Sequence, residues 1–167
     1  NKIKVKKGYY RCPHDDCSND KSLEIIKNFK KKDKRIKIIK LKQNRGASIA
    51  RNKGIEISIG NYIAFLDSDD IWNKNKLKLQ LNFMKKNNIS FCYTHYNIFK
   101  SNIKIHSPKK IYYKLMLISC FIGCSTVMIN QKSIGKTFFE NFKIRNDYVL
   151  WLKILKKTKL GFGMPLV

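Results

Sequence analysis

From residue 61 to residue 70 the chain reads Asn-Tyr-Ile-Ala-Phe-Leu-Asp-Ser-Asp-Asp, an apolar run that ends in three carboxylates within four positions. The whole chain has 36 Lys and Arg but only 11 Asp and Glu, so Asp67, Asp69 and Asp70 concentrate a scarce charge. Like charges this close repel unless a cation offsets them, and a divalent metal is the simplest partner. A site of carboxylate oxygens alone selects hard ions such as Mg²⁺ or Mn²⁺, which also take oxygens from a substrate's phosphates. A second use of the same residues is at a helix N-terminus, where Asp caps free N–H groups. The two uses are compatible, with Asp70 capping the next helix while Asp67 and Asp69 face a ligand.

Such a cluster must be held by something rigid, and the surrounding periodicity describes an α/β scaffold. Residues 18–32 open with Ser18, Asn19 and Asp20 as cap candidates and place Leu23, Ile26 and Phe29 on one helical face. A β-branched strand pattern follows at 35–41, then a break at 43–46 and helical character from Ala47 until Gly60. The run 62–66 is the short, continuous apolar kind buried on both faces of a parallel sheet, and the carboxylates begin where it stops. In open α/β sheets ligands bind beyond the carboxyl ends of the strands. A helix carrying Leu77, Leu81 and Met84 comes next, then a hairpin across 91–107, a short apolar helix near Leu115, a strand at 124–130 and a final helix whose core is Leu150, Trp151 and Ile154. Within that hairpin, His95 and His106 are expected at its surface or in a hydrogen-bonded core position, without a catalytic role.

Composition bounds the rest. At 167 residues and 43% hydrophobic content the chain reads as one folded domain, 1–167, and not as a disordered segment. A formal charge of +25 invites a polyanion or an anionic membrane leaflet as a neighbour. Only five basic residues are arginines, however, and reading of base edges favours the forked guanidinium, so nucleic acid is not the expected partner. Compositional drift toward lysine accounts for the charge as well. Five cysteines without a CxxC pair point to reduced thiols in a cytoplasmic setting. Cys12, His14 and Cys17 are close enough for half of a zinc site, but Cys120 and Cys124 would complete it at unusual spacing. The uncharged run from Leu115 is short for a membrane span and reads as buried core. No signal peptide is visible.

Three stretches in order, 15–29 (DDCSNDKSLEIIKNF), 44–56 (NRGASIARNKGIE) and 60–72 (GNYIAFLDSDDIW), resemble the family 2 glycosyltransferases of the GT-A fold. The resemblance extends from about Asp15 to about Trp151. It implies a Rossmann-like, mixed and mostly parallel sheet flanked by helices, and transfer of a sugar from a nucleotide-sugar donor, by default a uridine diphosphate sugar, to a glycan or lipid-linked acceptor with inversion. It also implies a bound Mn²⁺ or Mg²⁺ and a role in cell-surface polysaccharide biosynthesis at the inner face of the membrane. By position, Asp16, with Asp15 beside it, matches the contact to the nucleotide base, and Arg51, with Asn52, a group beside the nucleotide pocket. Asp67 matches the residue near the ribose or metal, and Asp69 the direct metal ligand. Asp147 matches the general base that takes the acceptor hydroxyl's proton.

Two departures from the family pattern accompany these matches. Asn146 stands where the family usually has Glu. Residues 1–14 lack the family's opening strand with its Pro-x-Tyr-Asn-like turn and helix, and Arg, Pro and His interrupt the strand expected before Asp15. The fold is therefore expected to be N-terminally incomplete. The alternative to an active enzyme is a truncated relic that acts as a basic polyanion binder.

Overall fold

The computed structural model describes residues 13–16, 20–99, 101, 103–142 and 144–165. They form two compact units: one holds the described residues up to Gly60 together with Phe138–Asn146, the other Asn61–Thr137 and the chain from Asp147 onward.

In the first unit, β1 (His14–Asp15) pairs in parallel with β2 (Ile39–Lys40), and between them in sequence runs α1 (Ser22–Lys32). Leu23, Ile26 and Phe29 of α1 are half-buried while the residues between them are exposed, the result of a 3.6-residue period. Asp20 accepts a hydrogen bond from the Ser22 N–H at 2.9 Å and satisfies one of the helix's free donors. Ser18 and Asn19 lie outside the described residues. The second helix, α2 (Ala47–Ile57), stops three residues before Gly60. The Ser58 hydroxyl donates to the Ile55 carbonyl at 2.7 Å, a local bond that competes with continuation of the helix.

The second unit contains β3 (Tyr62–Ala64), α3 (Lys76–Lys86), β4 (Phe91–Thr94), β5 (Tyr96–Asn97), β6 (Lys104–Ile105), β7 (Lys110–Tyr112), α4 (Tyr113–Ile118), a 3₁₀ turn at Cys124–Thr126, β8 (Met128–Asn130), α5 (Gln131–Ile134), α6 (Asn146–Thr158) apart from its first residue, and β9 (Leu160–Met164). Its five-stranded sheet has the order β3-β8-β4-β9-β7. The β4–β9 ladder is parallel, and β3–β8, β4–β8 and β7–β9 are antiparallel. The expected hairpin is present as β5 with β6. This is the mixed sheet flanked by helices of the expected α/β class.

Burial on both faces belongs to β4, not to β3. All four residues of β4 are buried, whereas β3 is half-buried and pairs antiparallel with β8. Alternation along β4 then sorts the core. Cys92 joins Met84 and Ile89 beneath α3, with Leu77 and Leu81 packed against them. On the opposite face Phe91 stacks on Trp151 of α6 at 5.7 Å between ring centroids, and Phe65 meets the same indole at 6.1 Å. Leu150, Trp151 and Ile154 are fully buried, as their spacing predicts. In the apolar run from Leu115, Met116, Ile122, Val127 and Met128 are buried while Leu117 and Ile118 are exposed. Among the described residues no helix is long and apolar enough to cross a membrane.

The strand β9 is not visible in the sequence pattern, because Gly161 and Gly163 deprive it of a strand's usual side chains. They are needed where the backbone passes close to its neighbours. A Cβ on Gly161 would lie 2.7 Å from the Phe91 ring, and one on Gly163 would overlap the Pro108 carbonyl. We therefore expect Gly163→Ala to destabilise the fold by about 1–3 kcal/mol through overpacking, read as a lower urea midpoint with an unchanged slope. An unaltered midpoint would contradict this packing.

Candidate active site

The carboxylate loop after β3 is fastened by one residue of the 3₁₀ turn. The Asp67 N–H donates to Ser125 Oγ at 2.9 Å, and the indole Nε1–H of Trp72 donates to the Ser125 carbonyl at 2.6 Å. Asp70 N–H closes a turn onto the Asp67 carbonyl at 3.2 Å. Asp70 is not the cap of α3: the N-cap is Asn75, five residues further on, and the intervening residues are spent on the Trp72 anchor and a local Asn73 turn.

A cleft of about 460 Å³ opens beside this loop, walled by Asp69, Trp72, Lys76, Tyr96, Phe99 and Ser125 among others. Asp69 is exposed at its edge. Asp67 is half-buried at the base of the turn and is not part of the cleft wall. The two carboxylates provide an oxygen-only donor set, which fits Mg²⁺ or Mn²⁺, since such ions are commonly held by one or two carboxylates with substrate phosphates completing the shell. Among the described residues no group of three or more His, Cys, Asp or Glu side chains could hold a metal. Cys12 and Cys17 of the zinc half-site lie outside the described residues.

Behind the cleft runs a polar strut that periodicity did not single out. Lys76 is 4% exposed and its ammonium donates to Gln80 Oε1 at 2.8 Å. Gln80 Nε2 donates in turn to the carbonyls of Thr126, at 2.9 Å, and Cys92, at 3.3 Å. The Lys76 ammonium also sits 4.6 Å from the Trp72 ring centroid, in cation–π range. Burial lowers its pKa to about 7, with a small opposing effect from Cys92, whose own thiol burial pushes up to about 11. His95 also lines the cleft. Its Nδ1 accepts from the Ser107 N–H at 2.9 Å, and burial together with the His106 ring lowers its pKa. The hairpin position and hydrogen bond match the sequence expectation for His95.

In the first unit, Asp16 spends both carboxylate oxygens on the start of α2, accepting from the N–H groups of Arg45 at 2.8 Å and Gly46 at 2.7 Å. Gly46 has φ +86°, a conformation that suits glycine. Arg51 lies with its guanidinium 5.3 Å from the Phe139 ring centroid and donates to Asn146 Oδ1 at 3.4 Å. Asn52 exchanges two bonds with the Phe139 backbone, at 2.9 and 2.8 Å. Asp147, in the second unit, is half-buried in the first turn of α6, and its Oδ1 accepts from the Tyr148 N–H at 2.8 Å. The cleft wall does not include it.

The family is shown by comparison. The model of glycosyl transferase family 2 matches residues 12–149, and the chain belongs to that family. It is 42% identical over 150 residues to the Escherichia coli UDP-Glc:alpha-D-GlcNAc-diphosphoundecaprenol beta-1,3-glucosyltransferase WfgD, covering 88% of this chain and 58% of that one. The fold is that of S. aureus TarS 1-349, solved in complex with UDP-GlcNAc, at a TM-score of 0.77 and 18% identity, over 97% of this chain and 48% of that one. It is also similar to the mannosyltransferase PcManGT from Pyrobaculum calidifontis, solved with GDP-Man and Mn²⁺, at a TM-score of 0.67 and 11% identity, over 93% of this chain and 45% of that one. The chain spans about six-tenths of the length of the curated relatives it matches.

Two outcomes follow from these contacts. Ser125→Ala removes the acceptor for the Asp67 N–H and should cost about 1 kcal/mol in chemical denaturation. Lys76 makes stability depend on pH. Between about pH 7 and the ordinary lysine value of 10.5 the unfolded chain carries a proton that the folded chain has released, so stability rises with pH there. Cys92 acts oppositely above its ordinary value of 9.0, which limits the rise to about pH 7–9. Urea midpoints at pH 7 and 9 should differ in this sense in the wild type and converge in Lys76→Met; a flat wild-type profile would refute the assignment.

Proposed function

We propose that the chain acts as a glycosyltransferase moving a sugar from a nucleotide donor, with uridine diphosphate sugars the first choice, to a hydroxyl of a glycan or lipid-linked acceptor with inversion. The observation that carries this reading is the carboxylate loop itself: Asp67 is pinned through its backbone to Ser125, and Asp69 stands at the edge of the adjoining cleft. The printed names of WfgD, TarS and PcManGT, with their UDP-linked and GDP-linked sugars, support a nucleotide-sugar donor.

Asp69, with Asp67, would hold a Mn²⁺ or Mg²⁺ that offsets the charge of the donor's diphosphate. Arg51 offers a guanidinium to phosphate or to the base edge, and its seat on Phe139 limits the conformations it must give up. Asp16 holds the Arg45–Gly46 turn, and its remaining lone pairs are available to a nucleotide base. Asp147 accepts the proton that the acceptor hydroxyl loses as its oxygen attacks the anomeric carbon, while the bond to the leaving diphosphate breaks on the opposite face. Asn146 in place of Glu gives Arg51 a neutral hydrogen bond where an ion pair would otherwise form. The charge of +25 favours peripheral contact with an anionic membrane leaflet in the cytoplasm.

Basic polyanion binding remains the second reading, supported by Lys27, Lys30, Lys31 and Lys34 around one hollow. Calorimetric titration of uridine diphosphate separates the two. Binding that requires Mn²⁺ and weakens about tenfold or more in Asp69→Ala supports the enzyme, and absence of binding to a folded chain overturns it. Asp147→Asn should bind uridine diphosphate like the wild type while transfer slows by about 10²–10⁴-fold in single-turnover assays.

A further inference from the structure

Four contacts and one peptide bond close a ring behind the carboxylate loop. Trp72 Nε1–H donates to the Ser125 carbonyl, and the Lys76 ammonium lies over the Trp72 ring. Lys76 donates to Gln80 Oε1, Gln80 Nε2 donates to the Thr126 carbonyl, and the chain itself joins Thr126 back to Ser125. A further bond from Gln80 to the Cys92 carbonyl seats the ring on β4. Lys76 and Gln80 stand one helical turn apart on α3 and are 4% and 0% exposed. Away from water such bonds reinforce one another, and a partner left behind in the interior is costly.

The carboxylate loop is attached to this ring at both ends. Asp67 N–H reaches Ser125 Oγ, and Trp72 is a member of the ring, so only 68–71, with Asp69 among them, lie between the two fixed points. A short segment with its ends held has few conformations left. A ring also behaves differently from a set of separate contacts. Opening it at one place releases every member, and a second opening adds little.

We propose that the ring works as one unit to hold Asp67 and Asp69 in the arrangement that takes the divalent metal, with Lys76 and Gln80 as positioning residues that act through Trp72 and Ser125. The assignment rests on the metal reading of the two carboxylates given above. Groups that orient metal ligands set affinity for the ion nearly as much as the ligands do. Here that influence starts in α3 and crosses to the loop through an indole and a turn.

Two readouts on the full chain test this: amide hydrogen exchange of the metal-free protein, and Mn²⁺ titration in the presence of uridine diphosphate. Both are run near pH 6, below the value of about 7 to which burial lowers Lys76, so that its ammonium is charged. Trp72→Phe removes the indole donor and Gln80→Met the amide donor, so each opens the ring at a different place. In each variant the Asp67 and Asp70 amides, both hydrogen-bonded in the wild type, should exchange about tenfold faster while the amides of β4 keep their protection. Mn²⁺ affinity should fall about tenfold in each. The double variant should stay within about twofold of the weaker single one in both readouts, where independent contacts would give the product, about a hundredfold. Lys74→Ala, an exposed neighbour, should match the wild type. Loop amides unchanged in both single variants, equal acceleration in β4, or a full product in the double variant overturns the proposal. Should Gln80→Met fail to fold, Gln80→Glu, which keeps an acceptor for Lys76 and loses the donor to Thr126, takes its place. If the wild type binds no Mn²⁺ with uridine diphosphate, the metal reading fails, while exchange in the metal-free loop still decides whether the ring acts as a unit.

Discussion

Ser125 joins two segments that are far apart in sequence, and the organisation of the carboxylate loop depends on it. Its hydroxyl takes the Asp67 N–H and its carbonyl takes the Trp72 indole N–H, so both ends of the Asp-Ser-Asp-Asp-Ile-Trp segment are tied to one residue. A loop carrying three negative charges would otherwise favour conformations that spread them apart. Two short bonds to a fixed point reduce that freedom before any ligand arrives, which is how a scaffold prepares a site. Ser125 is itself held in a 3₁₀ turn whose next residue, Thr126, receives Gln80 from α3.

The polar strut of Lys76 and Gln80 extends the same logic into the core. Gln80 is fully buried and uses its amide on two backbone carbonyls, one in β4 and one in the 3₁₀ turn. The Thr126 carbonyl lies in the turn, outside the strand ladders, and leaving it unpaired in the interior would be costly. The strut therefore solves a folding problem and a siting problem together. It fixes the cleft's wall to the sheet and leaves a cation beside it.

In the first unit the acidic residue and the arginine are likewise engaged with the protein. Asp16 grips the amides at the start of α2, where a helix N-terminus favours negative charge. Arg51, further along that helix, is set against Phe139 and Asn146, which return to this unit from late in the chain. Side chains already seated in this way lose less freedom when they meet a ligand.

The sequence by itself determined much of this protein. Helical spacing picked out the half-buried face of α1, Met84 with the half-buried Leu77 and Leu81 of α3, and the fully buried face of α6, because a 3.6-residue period survives in any context where one face is covered. The carboxylate cluster was legible because Asp67, Asp69 and Asp70 are adjacent in the chain, and the family followed from three stretches in order. Strand β9 was not legible, because its glycines serve a close approach to Phe91 and Pro108 that no local pattern encodes. The burial of β4 rather than β3 depends on which strands become neighbours, and the run 62–66 cannot state its own place in a sheet. Ser125, Trp72, Lys76 and Gln80 form a network only after folding brings residues 46 to 58 positions apart into hydrogen-bonding distance. Sequence records the types of groups available for chemistry; tertiary structure decided which of them share a cleft, because hydrogen bonds and burial act through space and not along the chain.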